Sequence, residues 1–284
     1  MLRLRRYGNP QAAVRLFVSH GNGFAIAGYA HFWRRFLAEF DLVLFDMRSH
    51  GQNPPADPAH HDYAHMVEDV AAVAAAARGE FGRKPAAGLF HSMSAQAALR
   101  LTMEAASAPF EALVLFDPPN VPAPDHPVYR AMLDYEEKLA RWAETRRERF
   151  AAPEELAAEY ARTRSGRRWP PGAALAMAQA VLRPEPEGDW ALACPRALEA
   201  SMYLQGLGLD LWPRRGDVPV PVTLIGADPD TAYPAPTALS NRALAAEAGF
   251  DYRAIADTSH LLQLEAPGRC ADAALDALAR HGLR

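Results

Sequence analysis

The stretch AAGLFHSMSAQAAL at residues 86–99 decides the fold of this chain. A short apolar run ends at Phe90, and Ser92 stands just before a run of alanine, glutamine and leucine that favours helix. A serine on a tight turn between a buried strand and a helix is typical of a nucleophile elbow, which exposes the hydroxyl. The turn also leaves backbone N–H groups free to face an oxyanion. An ordinary helix N-cap is the alternative role for Ser92, and this stretch alone favours neither.

Short apolar runs alternate with helical patterns on both sides of this stretch. The runs predict strands over residues 14–19, 42–45, 112–116, 219–225 and 251–255. Helical periodicity is found over residues 29–40, 63–78 and 237–248, and a terminal helix ends near residue 279. This alternation predicts an α/β fold: a mostly parallel sheet with helices on both faces.

The alternation stops between residues 120 and 217, where no convincing strand is found. Amphipathic patterns predict helices over residues 128–150, 154–164 and 172–182, separated by breaks rich in proline and glycine. We therefore predict a core formed by residues 1–119 and 218–284. A helical cap, or lid, is inserted into this core at residues 120–217.

The composition is that of a globular protein with a large core, at 50% hydrophobic and 23% charged residues. A net charge of −4 argues against a nucleic-acid binder or a membrane-surface protein. Cys194 and Cys270 are expected to be small buried hydrophobes. The basic N-terminus lacks the apolar region of a secretory signal, and no apolar run approaches the ~18 residues that span a bilayer. We therefore expect a cytoplasmic protein.

Three polar clusters come directly after predicted strands: Ser92, the pair Asp228 and Asp230, and His260. In open α/β sheets ligands bind at the carboxyl ends of the strands, so these loops can meet at one site. A serine hydroxyl is a weak nucleophile and needs a histidine base, which in turn needs a carboxylate to orient it. The order serine, aspartate, histidine is the one that elbow-type hydrolases use.

Five motifs in this order resemble the α/β-hydrolase superfamily over nearly the whole chain. The segment HSM at residues 91–93 is similar to the centre of the family's GHSMG elbow, and HGNGF at residues 20–24 is similar to its oxyanion loop. The other three are DMRSHGQN at residues 46–53, the acid loop at residues 226–234, and the histidine loop TSHLLQLEAP at residues 258–267. The motifs together indicate a serine hydrolase with a helical cap.

The elbow departs from the family pattern at two positions. The family keeps a small residue two positions before and two after the nucleophile, where Phe90 and Ser94 stand here. Ser94 is small, whereas Phe90 is bulky. Ser94 is also an alternative nucleophile, but Ser92 is preferred because the family motif is centred on it.

Three aspartates are candidates for the acid. Asp230 is preferred, because it begins an Asp-x-x-x-Pro stretch to Pro234 as the family's acid often does. Asp228 lies closer to the end of its strand. Asp117 ends the strand after the elbow helix, a position that some relatives use. An aspartate that is not the acid is expected to form a turn or cap a helix.

The resemblance implies a carboxylesterase-type enzyme. It hydrolyses an ester or thioester of a small to medium, mostly apolar substrate through an acyl-enzyme on Ser92. His260 acts as the base, and the oxyanion lies against the Met93 N–H and the loop at Asn22 and Gly23.

The resemblance also implies that no metal and no other cofactor is needed. A small-molecule substrate is the expected partner, with no nucleic acid and no membrane, and a homodimer is compatible with the sequence. Two alternatives stay open: a C–C bond hydrolase with the same triad, and a catalytically silent ligand-binding member.

Overall fold

The computed structural model describes residues 2–284, which form a seven-stranded sheet and a small three-stranded sheet. The large sheet has the order β1-β3-β2-β4-β5-β9-β10, and only β1 pairs antiparallel. The strands are β1 (Leu4–Gly8), β2 (Arg15–Ser19), β3 (Asp41–Phe45), β4 (Ala86–His91), β5 (Ala112–Phe116), β6 (Arg149–Phe150), β7 (Leu182–Pro184), β8 (Trp190–Leu192), β9 (Val222–Gly226) and β10 (Asp251–Ala254). The predicted α/β fold with a mostly parallel sheet is confirmed.

Ten α-helices are found among residues 2–284. They are α1 (Ala30–Trp33), α2 (Tyr63–Phe81), α3 (Met93–Glu104), α4 (Tyr129–Thr145), α5 (Pro153–Arg162), α6 (Ala173–Val181), α7 (Arg196–Gly206), α8 (Pro236–Ala248), α9 (Leu262–Glu265) and α10 (Pro267–Arg280). No helix among these residues combines the length and apolarity that crossing a membrane requires.

The central strands are buried on both faces, which is why they read as unbroken apolar runs. Successive side chains of a strand point to opposite faces. In β2, Leu16 and Val18 therefore join one hydrophobic core, which includes α10, whereas Phe17 joins a second core with α2, α3 and α8. The chain thus builds one core on each face of the sheet.

The region of residues 120–217 differs from the sequence-based prediction in containing strands. The short strands β6, β8 and β7 form the three-stranded sheet there. Strands of two or three residues are too short to show an alternating pattern, so the sequence did not reveal them. The helix predicted to reach residue 150 ends at Thr145, because Arg146 is extended and β6 follows. The assignment of this region as a separate cap stays a prediction.

The parallel register brings the ends of four strands to one edge of the sheet. Ser19 of β2 pairs with Phe90 of β4, His91 pairs with Phe116 of β5, and Phe116 pairs with Ile225 of β9. The loops after these strands are therefore neighbours, and side chains on them can meet at one site as expected.

Candidate active site

Ser92 lies on the sharp turn between β4 and α3. Its backbone has φ 54° and ψ −119°, a conformation that residues other than glycine rarely adopt. The strain is held by two backbone hydrogen bonds, from Ser92 N to Phe116 O at 2.9 Å and from Gln96 N to Ser92 O at 3.1 Å. The Ser92 side chain makes no capping hydrogen bond to α3. The hydroxyl is thus not used as a helix cap.

His260 joins Ser92 to an aspartate, and that aspartate is Asp117. The distance from His260 Nε2 to Ser92 Oγ is 3.0 Å, and that from His260 Nδ1 to Asp117 Oδ2 is 2.7 Å. A carboxylate can only accept a hydrogen bond, so Nδ1 carries the proton and donates a hydrogen bond to Asp117. Nε2 is then the unprotonated nitrogen that faces the serine hydroxyl.

Asp117 is fully buried and is held by four hydrogen bonds. Its Oδ1 accepts from Ala227 N and Asn241 Nδ2, and its Oδ2 accepts from Thr237 Oγ1 and from His260. Burial raises the pKa of Asp117, but the hydrogen bonds from His260, Thr237 and Ala227 outweigh it and hold the pKa below its ordinary value. The carboxyl is therefore ionised at neutral pH. No sequence signal pointed to Thr237 or Asn241.

The preference for Asp230 as the partner of His260 is wrong in this structure. Its side chain is 81% exposed and forms an ion pair with Arg242 at 2.9 Å. Asp228 is also not the partner, because its Oδ1 accepts from Asp230 N and its Oδ2 accepts from Asp257 N. Asp228 thus stabilises the loop after β9 through backbone hydrogen bonds, and Asp230 forms an exposed ion pair. The less favoured candidate, Asp117, contacts the histidine.

The two backbone N–H groups at Asn22 and Gly23, in the loop after β2, differ in whether they form a hydrogen bond. Gly23 was expected beside the oxyanion, but its N–H donates to His50 Nε2 at 3.0 Å and is not free to bind one. The Asn22 N–H takes no part in the hydrogen bonds within residues 2–284. Met93 is the first residue of α3, so its N–H has no acceptor within the helix.

The loop is fixed from one side by Glu199 of α7. The Asn22 side chain donates to the Glu199 backbone oxygen at 2.8 Å, and a Cβ on Gly23 would overlap the Glu199 carboxylate. Glu199 is buried and pairs with Arg146 at 2.7 Å. Glu199 could not be predicted from the sequence, because nothing in its neighbourhood distinguishes it from other acidic residues in helices.

His91 contacts the backbone of His260 rather than the Ser92 hydroxyl. Its Nε2 donates to the His260 backbone oxygen at 2.9 Å, and its Nδ1 lies 2.9 Å from the Tyr29 hydroxyl, which donates to it. Burial, together with the nearby His260, lowers the pKa of His91 to about 3, so the ring stays neutral. His91 therefore holds His260 in place without exchanging protons.

The glutamate of the histidine-loop motif has a clear structural task. The Glu265 carboxylate accepts from Ser259 N at 2.8 Å and from Ser259 Oγ at 2.5 Å. It also pairs with Arg168 at 2.8 Å. These bonds fix the residue next to His260 and explain why a glutamate stands five positions after the histidine.

Phe90 fits the elbow because a small residue, Gly88, stands beside it on the same strand. Gly88 lies two positions earlier on the same face of β4, and a Cβ there would overlap the Phe90 ring. The ring is fully buried and packs edge-on against Phe45 and Phe110. A glycine at position 88 thus makes room for the aromatic side chain at position 90.

Ser94 closes the elbow. Its Oγ accepts from His91 N at 3.1 Å and donates to His91 O at 3.0 Å. The side chain is fully buried, and these two bonds tie α3 to the end of β4. Ser94 is therefore not placed to act as a nucleophile.

A cavity of about 670 Å³ opens at His260. Six aromatic side chains line it, and four of the six come from residues 120–217: Phe24, Tyr135, Trp142, Tyr160, Tyr203 and Tyr233. The centre of the Tyr135 ring lies 6.5 Å from the centre of the His260 ring, and His260 itself lines the cavity.

The chain belongs to the α/β-hydrolase family. The model described as "Alpha/beta hydrolase family" matches residues 16–273. A search of curated proteins found no match.

Many solved structures share the fold at low sequence identity. The E-2-(acetamidomethylene)succinate hydrolase is 18% identical with a TM-score of 0.78, covering 98% of this chain and 95% of its own. MenH from S. aureus is 14% identical with a TM-score of 0.72, covering 99% and 100%. The thioesterase domain from the curacin biosynthetic pathway is 18% identical with a TM-score of 0.70, covering 96% and 94%.

Proposed function

We propose that this protein is a serine hydrolase that cleaves an ester or thioester through an acyl-enzyme on Ser92. The observation that supports the proposal best is His260, whose two ring nitrogens contact Ser92 Oγ and Asp117 Oδ2 at hydrogen-bonding distance. A histidine held in this way has the tautomer that a base needs, because Nε2 is unprotonated and Nδ1 is tied to a carboxylate.

The first half of the reaction forms the acyl-enzyme. His260 Nε2 takes the proton of Ser92, and Oγ attacks the carbonyl carbon. The oxyanion accepts hydrogen bonds from the N–H groups of Asn22 and Met93, and losing one such donor costs on the order of 10²–10³ in rate. The buried Asp117 carboxylate stabilises the imidazolium that results. The protonated Nε2 then donates to the leaving alcohol or thiol as the bond to carbon breaks.

The second half repeats these steps with water. His260 takes a proton from a water molecule that attacks the acyl carbon, and the proton then returns to Ser92 Oγ as the acid leaves. The strained turn at Ser92 and the four hydrogen bonds to Asp117 keep the groups in place through both halves.

We also propose that residues 120–217 act as a cap over the substrate. Support comes from the cavity, where Tyr135, Trp142 and Tyr203 from this region face the loop of His260. Walls of this kind exclude water and favour a substrate with an apolar body. The presence of a thioesterase domain and of a succinate-derivative hydrolase among proteins of this fold is compatible with this chemistry.

A fluorophosphonate probe tests the proposal, because it labels only a serine that a base has activated. We expect covalent labelling of the wild-type protein, loss of labelling in Ser92→Ala, and retained labelling in Ser94→Ala. The Ser94 variant is the matched control, since its hydroxyl lies in the same elbow but is used structurally. Absence of labelling in the wild type would favour the silent ligand-binding alternative. A panel of p-nitrophenyl esters beside a vinylogous diketone then separates an esterase from a C–C hydrolase.

A further inference from the structure

The cavity at His260 carries positive charge although the protein as a whole is negative. Four cationic side chains line it, Lys138, Arg146, Arg164 and Arg168, against the single carboxylate of Glu199. The net charge of the chain is −4. The accumulation of cations at this cavity is therefore not a consequence of the overall composition.

Two of the four cations are neutralised by buried carboxylates. Arg146 pairs with Glu199, and both side chains are nearly inaccessible to solvent, at 8% and 2% exposure. Arg168 pairs with Glu265. These two arginines are accounted for by packing and by the support of the two loops at the active site.

Lys138 and Arg164 have no such partner. Among residues 2–284, neither side chain forms an ion pair within 4 Å. Lys138 has an acidic residue at the favourable spacing for a helical ion pair, because Asp134 stands four residues before it. Asp134 instead pairs with Arg130 at 2.8 Å. Lys138 is exposed and lines the cavity, so its ammonium group is available to a ligand that binds there.

The position of Lys138 on α4 relates it to the reacting groups. Tyr135, Lys138, Leu139 and Trp142 line the cavity at spacings of three and four, so they share one face of the helix. Tyr135 is beside His260, and Lys138 lies about 4.5 Å further along the helix axis at 1.5 Å per residue. A ligand that reaches from Ser92 past Tyr135 would thus meet an ammonium group at its far end.

We propose that the acyl group of the substrate carries a carboxylate at the end remote from the scissile bond, and that Lys138 and Arg164 bind it. This inference rests on the proposed function, and it narrows the mostly apolar substrate to an amphipathic one. The aromatic walls contact the body of the acyl chain, and the two cations attract its charged end. The electrostatic attraction between these cations and a carboxylate substrate also raises the rate of association at low salt.

A pair of esters that differ only in the terminal charge tests the inference. Mono-p-nitrophenyl adipate ends in a carboxylate, and the p-nitrophenyl ester of adipamic acid ends in a neutral amide of the same size. At low ionic strength we expect kcat/KM to be about tenfold higher for the adipate, with a smaller ratio in 0.5 M NaCl because of screening. The double variant Lys138→Gln, Arg164→Gln should bring the ratio close to one, mainly through KM. Arg162→Gln is the control, since this exposed arginine of α5 does not line the cavity.

The outcomes separate the two proposals. Equal kcat/KM values for the two esters in the wild type overturn the carboxylate inference and leave the serine hydrolase intact. If neither ester is cleaved, the tryptophan fluorescence of the wild-type protein gives a second readout of binding, because Trp142 lines the cavity. Tighter, salt-sensitive binding of the adipate would then support the cation pair without the hydrolysis. Equal affinities for the two esters overturn it.

Discussion

Replacing Asp117 with asparagine is the sharpest test of the acid. The new side chain keeps the shape of aspartate but has one oxygen and one NH₂ group. If the NH₂ group takes the place of Oδ1, it faces the Ala227 N–H and the Asn241 NH₂, which are both donors. Each such clash leaves buried donors unpaired, at about 1–3 kcal/mol. We therefore expect the NH₂ group at the position of Oδ2.

In that orientation the amide donates to His260 and changes its tautomer. His260 Nδ1 must then accept a hydrogen bond, so the proton moves to Nε2, the nitrogen that has to receive the proton of Ser92. The same exchange of tautomer in a serine protease lowers kcat about 10⁴-fold, and we expect a loss of this order for Asp117→Asn. Thr237 Oγ1 can reorient its hydroxyl proton, so the fold is expected to survive.

The assay is hydrolysis of a p-nitrophenyl ester, with the unfolding transition measured in parallel. Asp230→Asn and Asp228→Asn are the matched controls, since both carboxylates lie on the neighbouring loop without touching His260. We expect both controls to retain kcat/KM within a few fold. The reasoning is refuted if Asp230→Asn loses as much activity as Asp117→Asn, or if Asp117→Asn stays within tenfold of the wild type.

Two further predictions concern stability. Burial without a compensating partner raises the pKa of Glu136 to about 8. The Glu136 carboxyl therefore loses its proton near pH 4.5 in the unfolded chain but only near pH 8 in the folded protein. As a result, the free energy of unfolding of the wild type decreases as the pH rises from 4.5 to 8. Urea unfolding measures the free energy of unfolding of Glu136→Gln and of the wild type at pH 5 and at pH 8. From pH 5 to pH 8 the difference should change by about 3 kcal/mol in favour of the variant. A difference that does not depend on pH contradicts this prediction. Gly88→Ala should lower the unfolding free energy by about 2 kcal/mol in the wild type but much less in a Phe90→Ala background. Additive effects in that double-mutant cycle would contradict the proposed fit of ring and glycine.

The large sheet could be predicted from the sequence because its strands are long enough to show a pattern. The run ALVLF predicts a strand at residues 112–116, and β5 has these bounds. The small sheet at β6, β7 and β8 has strands of two and three residues, for which no periodicity exists to be read. The antiparallel β1 was also missed, since its sequence LRRYG has two arginines among five residues and lies at the edge of the sheet.

The site could be predicted as far as its serine and histidine, which stand within distinctive motifs. The aspartate could not, because β5 and β9 are adjacent strands that end at the same edge of the sheet. Asp117, Asp228 and Asp230 all follow these ends, and sequence spacing does not tell which side chain points to the histidine. The answer depends on Thr237, Asn241 and the Ala227 N–H, which together build a buried anion site around Asp117.

The contact between His260 and Asp117 also has an evolutionary consequence. Ser92 and Asp117 belong to one uninterrupted part of the chain, and only His260 comes after residues 120–217. The segment of residues 120–217 can therefore change in length or be replaced without altering the stretch of chain that links Ser92 to Asp117. A lineage that carries its acid on β5 is free to exchange the walls of its cavity as a module. Chimeras that graft a different segment between β5 and β9 should accordingly alter substrate preference before they alter the reactivity of Ser92 toward small probes.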